Sequence, residues 1–132
     1  MIAIRPHVDI YLAIGSVTKD RTADYPVAIR MPGDDNCDDP ATKESYEKSH
    51  EILKQISHKN LVSFRGFGDF EGAPFLASSY VNGTTLSTLT ENGRALYEEL
   101  LLNIAVDVLA GLDYLRKKSL VLRNLSAENI MV

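Results

Sequence analysis

Residues 120–132, LVLRNLSAENIMV, decide how the rest of the chain is read. An apolar pair, Leu120 and Val121, leads into a polar turn, and an apolar triplet, Ile130 to Val132, leads out of it. A loop held between two buried anchors is a common way for a chain to fix functional groups in place. Inside this loop stand Arg123, Asn124 and Asn129, with Ser126 between them.

Upstream, from about Ala95 to Lys118, Leu101, Ile104, Ala105, Val108, Leu112 and Leu115 fall at helical spacing and predict one apolar stripe. Arg116, Lys117 and Lys118 crowd the end of that helix, where positive charge suits the helix dipole. Taken alone, such a stripe is core. Further back, LVSFRGFGDFEGAPFLASSYV reads as two apolar strands around a Glu71-Gly72 turn, followed by a polar connection, NGTTLSTL.

A helix is expected over roughly 40–57, started by Asp39 as N-cap and Pro40 as its first residue. Tyr46, Leu53 and Ile56 form its apolar stripe, with Ser49 on the same face. Val27 to Met31, VAIRM, is a short strand with one charge, Arg30, whose plain reading is a solvated face. Residues 8–18, VDIYLAIGSVT, read as a strand pair or as one bent strand. The acidic loop with Asp34, Asn36 and Asp38 imitates a calcium loop. It fails at the sixth position, Asp39, and at the twelfth, Ser45, and reads as a solvated turn.

Composition bounds the function. Of 132 residues, 45% are hydrophobic and 24% charged, the balance of a globular protein, and the net charge of −4 gives no reason to expect nucleic acid as a partner. One cysteine, Cys37, excludes an internal disulfide and has no basic neighbour to make it reactive. His7, His50 and His58 lack metal-ligand spacing, and His58 reads as a structural turn residue. No stretch has the length of a membrane span, and the N-terminus lacks the apolar run of a signal peptide.

Leu122-Arg123-Asn124-Leu125-Ser126-Ala127-Glu128-Asn129 resembles the catalytic loop of protein kinases, H-R-D-L-x-x-x-N. Other stretches extend the resemblance in the right order. VAIR is similar to the V-A-I-K strand, the family's third, with Arg30 at the lysine. The 40–57 helix is similar to helix C, ending in an H-x-N turn at His58-Lys59-Asn60. SYVNGTTL resembles the linker between the two lobes, and Ala110 to Leu115 the A-x-G-L-x-Y-L stretch of helix E. The resemblance implies an α+β, protein-kinase-like fold. It gives an N-terminal lobe of antiparallel sheet plus helix C (1–78), a hinge (79–83), and the start of the helical C-terminal lobe (84–132). The L-S-A-E-N wording leans toward the tyrosine-kinase branch.

By resemblance, a nucleotide pocket would be built from Gly15, Val17, Ala28, Arg30, Ser79, Tyr80 and Val81, with Ser78 as gatekeeper. Its chemical positions depart from the family. In the phosphate-covering loop, Gly15 and Val17 fit, but the two earlier glycine positions fall on Ile10 and Leu12, whose side chains block a close approach to phosphate. Arg30 keeps the charge of the lysine but not its shape. Counting back from His58, the glutamate of helix C falls on Ser49, with Glu47 and Glu51 about 200° round the helix. A register slip, or a helix rotated to present Glu51, would restore the partner. Asn124, an amide, replaces the catalytic aspartate and cannot take a proton. Ser126 replaces a basic residue. Arg123 and Asn129 are retained, but Asn129 alone does not hold magnesium.

The expectation is therefore a pseudokinase-type domain in which none of the catalytic set is intact. It would bind ATP weakly, without magnesium, and act through a protein partner such as an active kinase or the remainder of the helical lobe. Its expected address is cytoplasmic, or the intracellular part of a membrane receptor. The alternative is a piece of an atypical active tyrosine kinase that transfers the γ-phosphate of ATP to protein hydroxyls.

Overall fold

The structure, a computed structural model, describes residues 8–16, 24–33, 39–93 and 95–132. Val8–Ser16 forms β1 and Asp24–Pro32 forms β2, so the 8–18 stretch contributes one strand rather than a pair. Pro40–Leu53 is α1, and Phe64–Phe70 and Ala73–Ser79 are β3 and β4. A short α2, Leu86–Leu89, precedes the long α3, Glu98–Lys117, and a 3₁₀ turn covers Ala127–Asn129. The four strands make one antiparallel sheet in the order β1-β2-β4-β3.

Local chemistry accounts for the boundaries. Asp39 is extended, and its carboxylate accepts from the Ala41 amide at 3.3 Å and from the Thr42 hydroxyl at 3.1 Å, while Pro40 needs no N–H in the first turn. The α-helix stops at Leu53, short of the predicted 57. Its last turn tightens instead, with the Gln55 and Ile56 amides donating to the Ile52 and Leu53 carbonyls. The β3–β4 hairpin turns at Glu71 (φ 52°) and Gly72 (φ 89°), two successive positive φ angles that match the twist of the strands. The Asp69 carboxylate accepts from the Gly72 amide at 2.9 Å and closes that turn.

Directly paired residues of antiparallel strands share a face, so the register defines two rows across the sheet. One row runs Leu12, Ala28, Ser78, Phe64, and the next runs Ile10, Arg30, Leu76, Phe67. Phe64 and Phe67 are three apart and would face opposite ways in a regular strand. A bulge between Phe64 and Gly66 restores them to one face. Helix α1 covers that end of the face, with Tyr46 buried and the His50 ring stacked on Phe67 and tilted on Phe64, centroids 5.0 and 5.2 Å apart. The core of this part is Val27, Ala28, Leu76 and Ala77 from the central strands, with Tyr46 from the helix.

The chain forms two compact units. Of the described residues, 8–57 and 63–80 make the sheet unit, and 58–62 with 81–132 make the helical unit. The H-x-N turn thus groups with the helices, although it lies within the stretch read as the N-terminal lobe. It is closed by the Asn60 amide donating to His58 Nδ1 at 3.2 Å. The His58 ring lies 5.0 Å from that of Tyr114, and Leu61 packs over Gly111.

The stripe expected on α3 is only partly covered. Leu115 is buried and Ile104, Val108 and Leu112 are half-buried, while Leu101 is exposed. A second apolar line, Leu102, Val106 and Leu109, is 59–63% exposed. Apolar side chains thus extend beyond the covered stripe, the pattern of a helix with further surface to bury. Among the described residues, no helix is long and apolar enough to cross a membrane.

The capping geometry makes a direct prediction. Asp39→Ala is expected to lower stability by about 1 kcal/mol, and Asp39→Asn by only a few tenths, measured by denaturant unfolding. Equal losses for the two variants would show that the cap contributes nothing specific.

Candidate functional site

The residues singled out by sequence divide between the two units. In the sheet unit, the register revises the phosphate-loop reading. Ile10 and Leu12 are not loop positions; they stand in the middle of β1, opposite Arg30 and Ala28. Gly15 is also a strand residue, opposite Tyr25, and Val17 lies outside the described residues.

The side chain that flanks Ala28 on its face, in β1, is Leu12, 66% exposed. Sequence reasoning missed this because the only G-x-V in the chain, Gly15-Ser16-Val17, lies beyond it. Ser78 stands opposite Ala28 on the other side and donates its hydroxyl to the Ala28 carbonyl at 3.4 Å. Of the expected hinge amides, Ser79 donates to the Ser63 carbonyl at 2.8 Å and Tyr80 to that of Pro26 at 3.3 Å. Both amides are thus used within the sheet unit.

Arg30 meets a ring where the resemblance leads one to expect a carboxylate. Its guanidinium carbon lies 5.4 Å from the centroid of the Tyr46 ring. Ser49 turns its hydroxyl back to the Ser45 carbonyl at 2.8 Å. Glu51 points outward and pairs with Lys54 at 2.5 Å, which removes the reading of a helix rotated to present it. Glu47 is exposed. The hydrogen bond from Lys54, opposed by desolvation and helped by the charges of Lys54 and His50, holds the Glu51 carboxyl below its ordinary value. Tyr46 shares the Ser49 stripe, and that periodicity was the signal that it faces the sheet.

In the helical unit, the 84–86 and 130–132 segments run antiparallel. Thr84 and Val132 exchange amide-to-carbonyl bonds of 3.1 and 2.9 Å, and the Leu86 amide donates to the Ile130 carbonyl at 2.8 Å. Thr85 caps α2 by accepting from the Thr88 amide at 3.1 Å, so the G-x-T-L wording serves a helix start as well as a linker. A Cβ at Gly83 would stand 2.6 Å from the Val132 carbonyl oxygen, a close approach that only glycine permits.

This pairing fixes the exit of the 122–129 loop. Asn129 is the organiser of the loop, 4% exposed, with its amide nitrogen donating to the Asn124 carbonyl at 3.2 Å and to the Ser126 hydroxyl at 3.0 Å. Its Oδ1 is buried and accepts no hydrogen bond. Arg123 and Asn124 are exposed, and Ser126 is half-buried. The side chain of Ser126 thus buttresses Asn129.

Two predictions follow from this geometry. Lys54→Ala is expected to raise the Glu51 titration toward the ordinary glutamate value, followed by NMR, whereas Arg30→Met leaves it unchanged. With the folded pKa depressed, this pair's stability is present above the unfolded pKa and lost as pH falls through the folded one. A response to Arg30→Met alone would mean that Glu51 reaches the guanidinium. Gly83→Ala is expected to cost about 1–3 kcal/mol by forcing the 84–86 and 130–132 pair apart, read from the thermal midpoint. An unchanged midpoint would refute the close approach.

Comparison with known proteins agrees with this arrangement. The family model for protein tyrosine and serine/threonine kinases matches residues 9–132. The chain is 27% identical over 126 residues to the mitogen-activated protein kinase kinase kinase MST11 of Pyricularia oryzae, covering 93% of this chain and 14% of that protein. It is 31% identical over 90 residues to the tyrosine protein kinase src-1 of Caenorhabditis elegans, covering 67% and 17%. The fold superimposes on the crystal structure of Rad53 1–466 in complex with AMP-PNP at a TM-score of 0.75 and 19% identity, over 97% of this chain and 32% of that one. The chain therefore spans about one seventh to one sixth of the length of these curated relatives, and it belongs to the protein kinase family.

Proposed function

We propose that this chain is a catalytically impaired, pseudokinase-type module that binds a nucleotide weakly through its sheet unit, without magnesium, and works by engaging a protein partner. The observation that carries the reading is Asn124 at the position of the catalytic base. Its neutral amide has no affinity for the proton of an incoming hydroxyl. Arg30 against a ring rather than a carboxylate adds a second change at a position that the family uses for phosphate.

A divalent ion fits poorly. The buried, unpartnered Asn129 Oδ1 is one neutral donor, and among the described residues no group of three His, Cys, Asp or Glu side chains could hold a metal. Magnesium needs carboxylates as well, so no step is assigned to it. A nucleotide base fits better. Leu12, exposed opposite the buried Ala28, offers an apolar side chain for an adenine, and Rad53, with the same fold, has been crystallised with AMP-PNP. The partner reading is supported by the bare line of Leu102, Val106 and Leu109 on α3.

The test is thermal unfolding of the chain with ATP, with and without magnesium. At about ten times Kd, ATP should stabilise by about 1.4 kcal/mol, equally in both series. A clear magnesium-dependent increase would overturn the reading. The second reading, an atypical active kinase, is favoured by one feature, the unpartnered Asn129 oxygen. It would be established by transfer of radiolabelled γ-phosphate to a protein hydroxyl, abolished by Asn129→Ala.

A further inference from the structure

Arg30 lies in the row Ile10, Arg30, Leu76, Phe67, on the sheet face that α1 roofs. Its guanidinium stands 5.4 Å from the Tyr46 ring centroid, inside the range of a cation–π contact. Arg30 Nε and Tyr46 Oη are both buried, and neither has a hydrogen-bond partner. The ring face, not the phenol, is therefore what meets the cation. The carboxylates of α1 are placed elsewhere: Glu44 on Lys48, Glu51 on Lys54, and Glu47 exposed. Among the described residues, no ion pair engages Arg30.

We propose that Tyr46 is the positioning residue for Arg30, holding the guanidinium on the face that carries Leu12 and Ala28 while leaving its charge un-neutralised for the phosphates of a nucleotide. A carboxylate partner would cancel that charge and leave the contact open to screening by salt. An aromatic face fixes a planar, weakly hydrated cation by its quadrupole and removes none of the charge. In the same contact, α1 is latched to β2 at Tyr46 while His50, one turn on, rests on Phe67 and Phe64 of β3. The ligand half of this inference rests on the nucleotide reading above; the latch does not.

The experiment uses the full chain and four variants: Arg30→Met, Tyr46→Leu, their double, and Tyr46→Phe. In thermal unfolding, the double variant should lose clearly less than the sum of the single losses, because both singles remove the same contact. Tyr46→Phe keeps the ring and removes a buried hydroxyl that has no partner, so its midpoint should equal or exceed that of the parent. Additive losses, or a Tyr46→Phe variant as damaged as Tyr46→Leu, would overturn the latch.

The second arm measures ATP and adenosine binding by calorimetry. Tyr46→Leu should weaken ATP by about three- to tenfold and adenosine by less than about twofold, with Tyr46→Phe like the parent for both. Equal weakening of the two ligands would reduce Tyr46 to a structural role and overturn the positioning claim. If the parent binds neither ligand, the nucleotide reading fails together with the ligand half of this inference, and the unfolding cycle still decides the latch.

Discussion

The contact between Arg30 and Tyr46, with the stacking of His50 on β3, joins α1 to the sheet. A cation in the middle of a half-apolar face must be held by something, and here a buried ring on the helix holds it. With Tyr46 fixed over β2, the residue one turn later, His50, falls over β3. Two phenylalanines meet it there because a bulge has turned both to the same side. Leu76, between the two rows of contact, is buried as a consequence. On the same face, Leu12, opposite the buried Ala28, is exposed.

The helical unit is organised by a polar residue. Asn129 is buried and spends its amide hydrogens on the Asn124 carbonyl and the Ser126 hydroxyl, so the loop closes on itself around one side chain. A net value of about 1 kcal/mol per hydrogen bond is modest, but leaving a buried amide unpaired would cost more, and the loop is thereby confined to one shape. The antiparallel exchange between Thr84 and Val132 clamps the exit of that loop, and the absence of a side chain at Gly83 allows it. The loop geometry of the family is thus kept by groups that are indifferent to whether position 124 is an acid or an amide.

That separation of scaffold from chemistry runs through the chain. Ala28, His58, Gly111 and Asn129 serve packing and turn closure. Arg30, Ser49, Asn124 and Ser126, by contrast, are the positions on which the proposed loss of catalysis rests. The Ser126 hydroxyl also contributes to the loop as a hydrogen-bond partner of Asn129. Helix α3 follows the same logic on a larger scale: it carries more apolar surface than the described residues cover.

The sequence by itself determined the kinase-like order of elements, because that order is written in local signals. Asp39-Pro40 starts α1, Glu71-Gly72 turns the β3–β4 hairpin, and the 3.6-residue spacing marks α3. These are short-range rules that a linear reading can apply. The loop from Leu122 to Asn129 was legible for the same reason, being one contiguous run. What only the tertiary structure decided is which residues face each other across strands and between helix and sheet. The register put Leu12 beside Ala28. The bulge brought Phe64 and Phe67 together, and helix docking gave Arg30 an aromatic ring and sent Glu51 outward to Lys54. Pairing register and helix rotation are settled by the burial of whole faces at once, a quantity that no window of neighbouring residues contains.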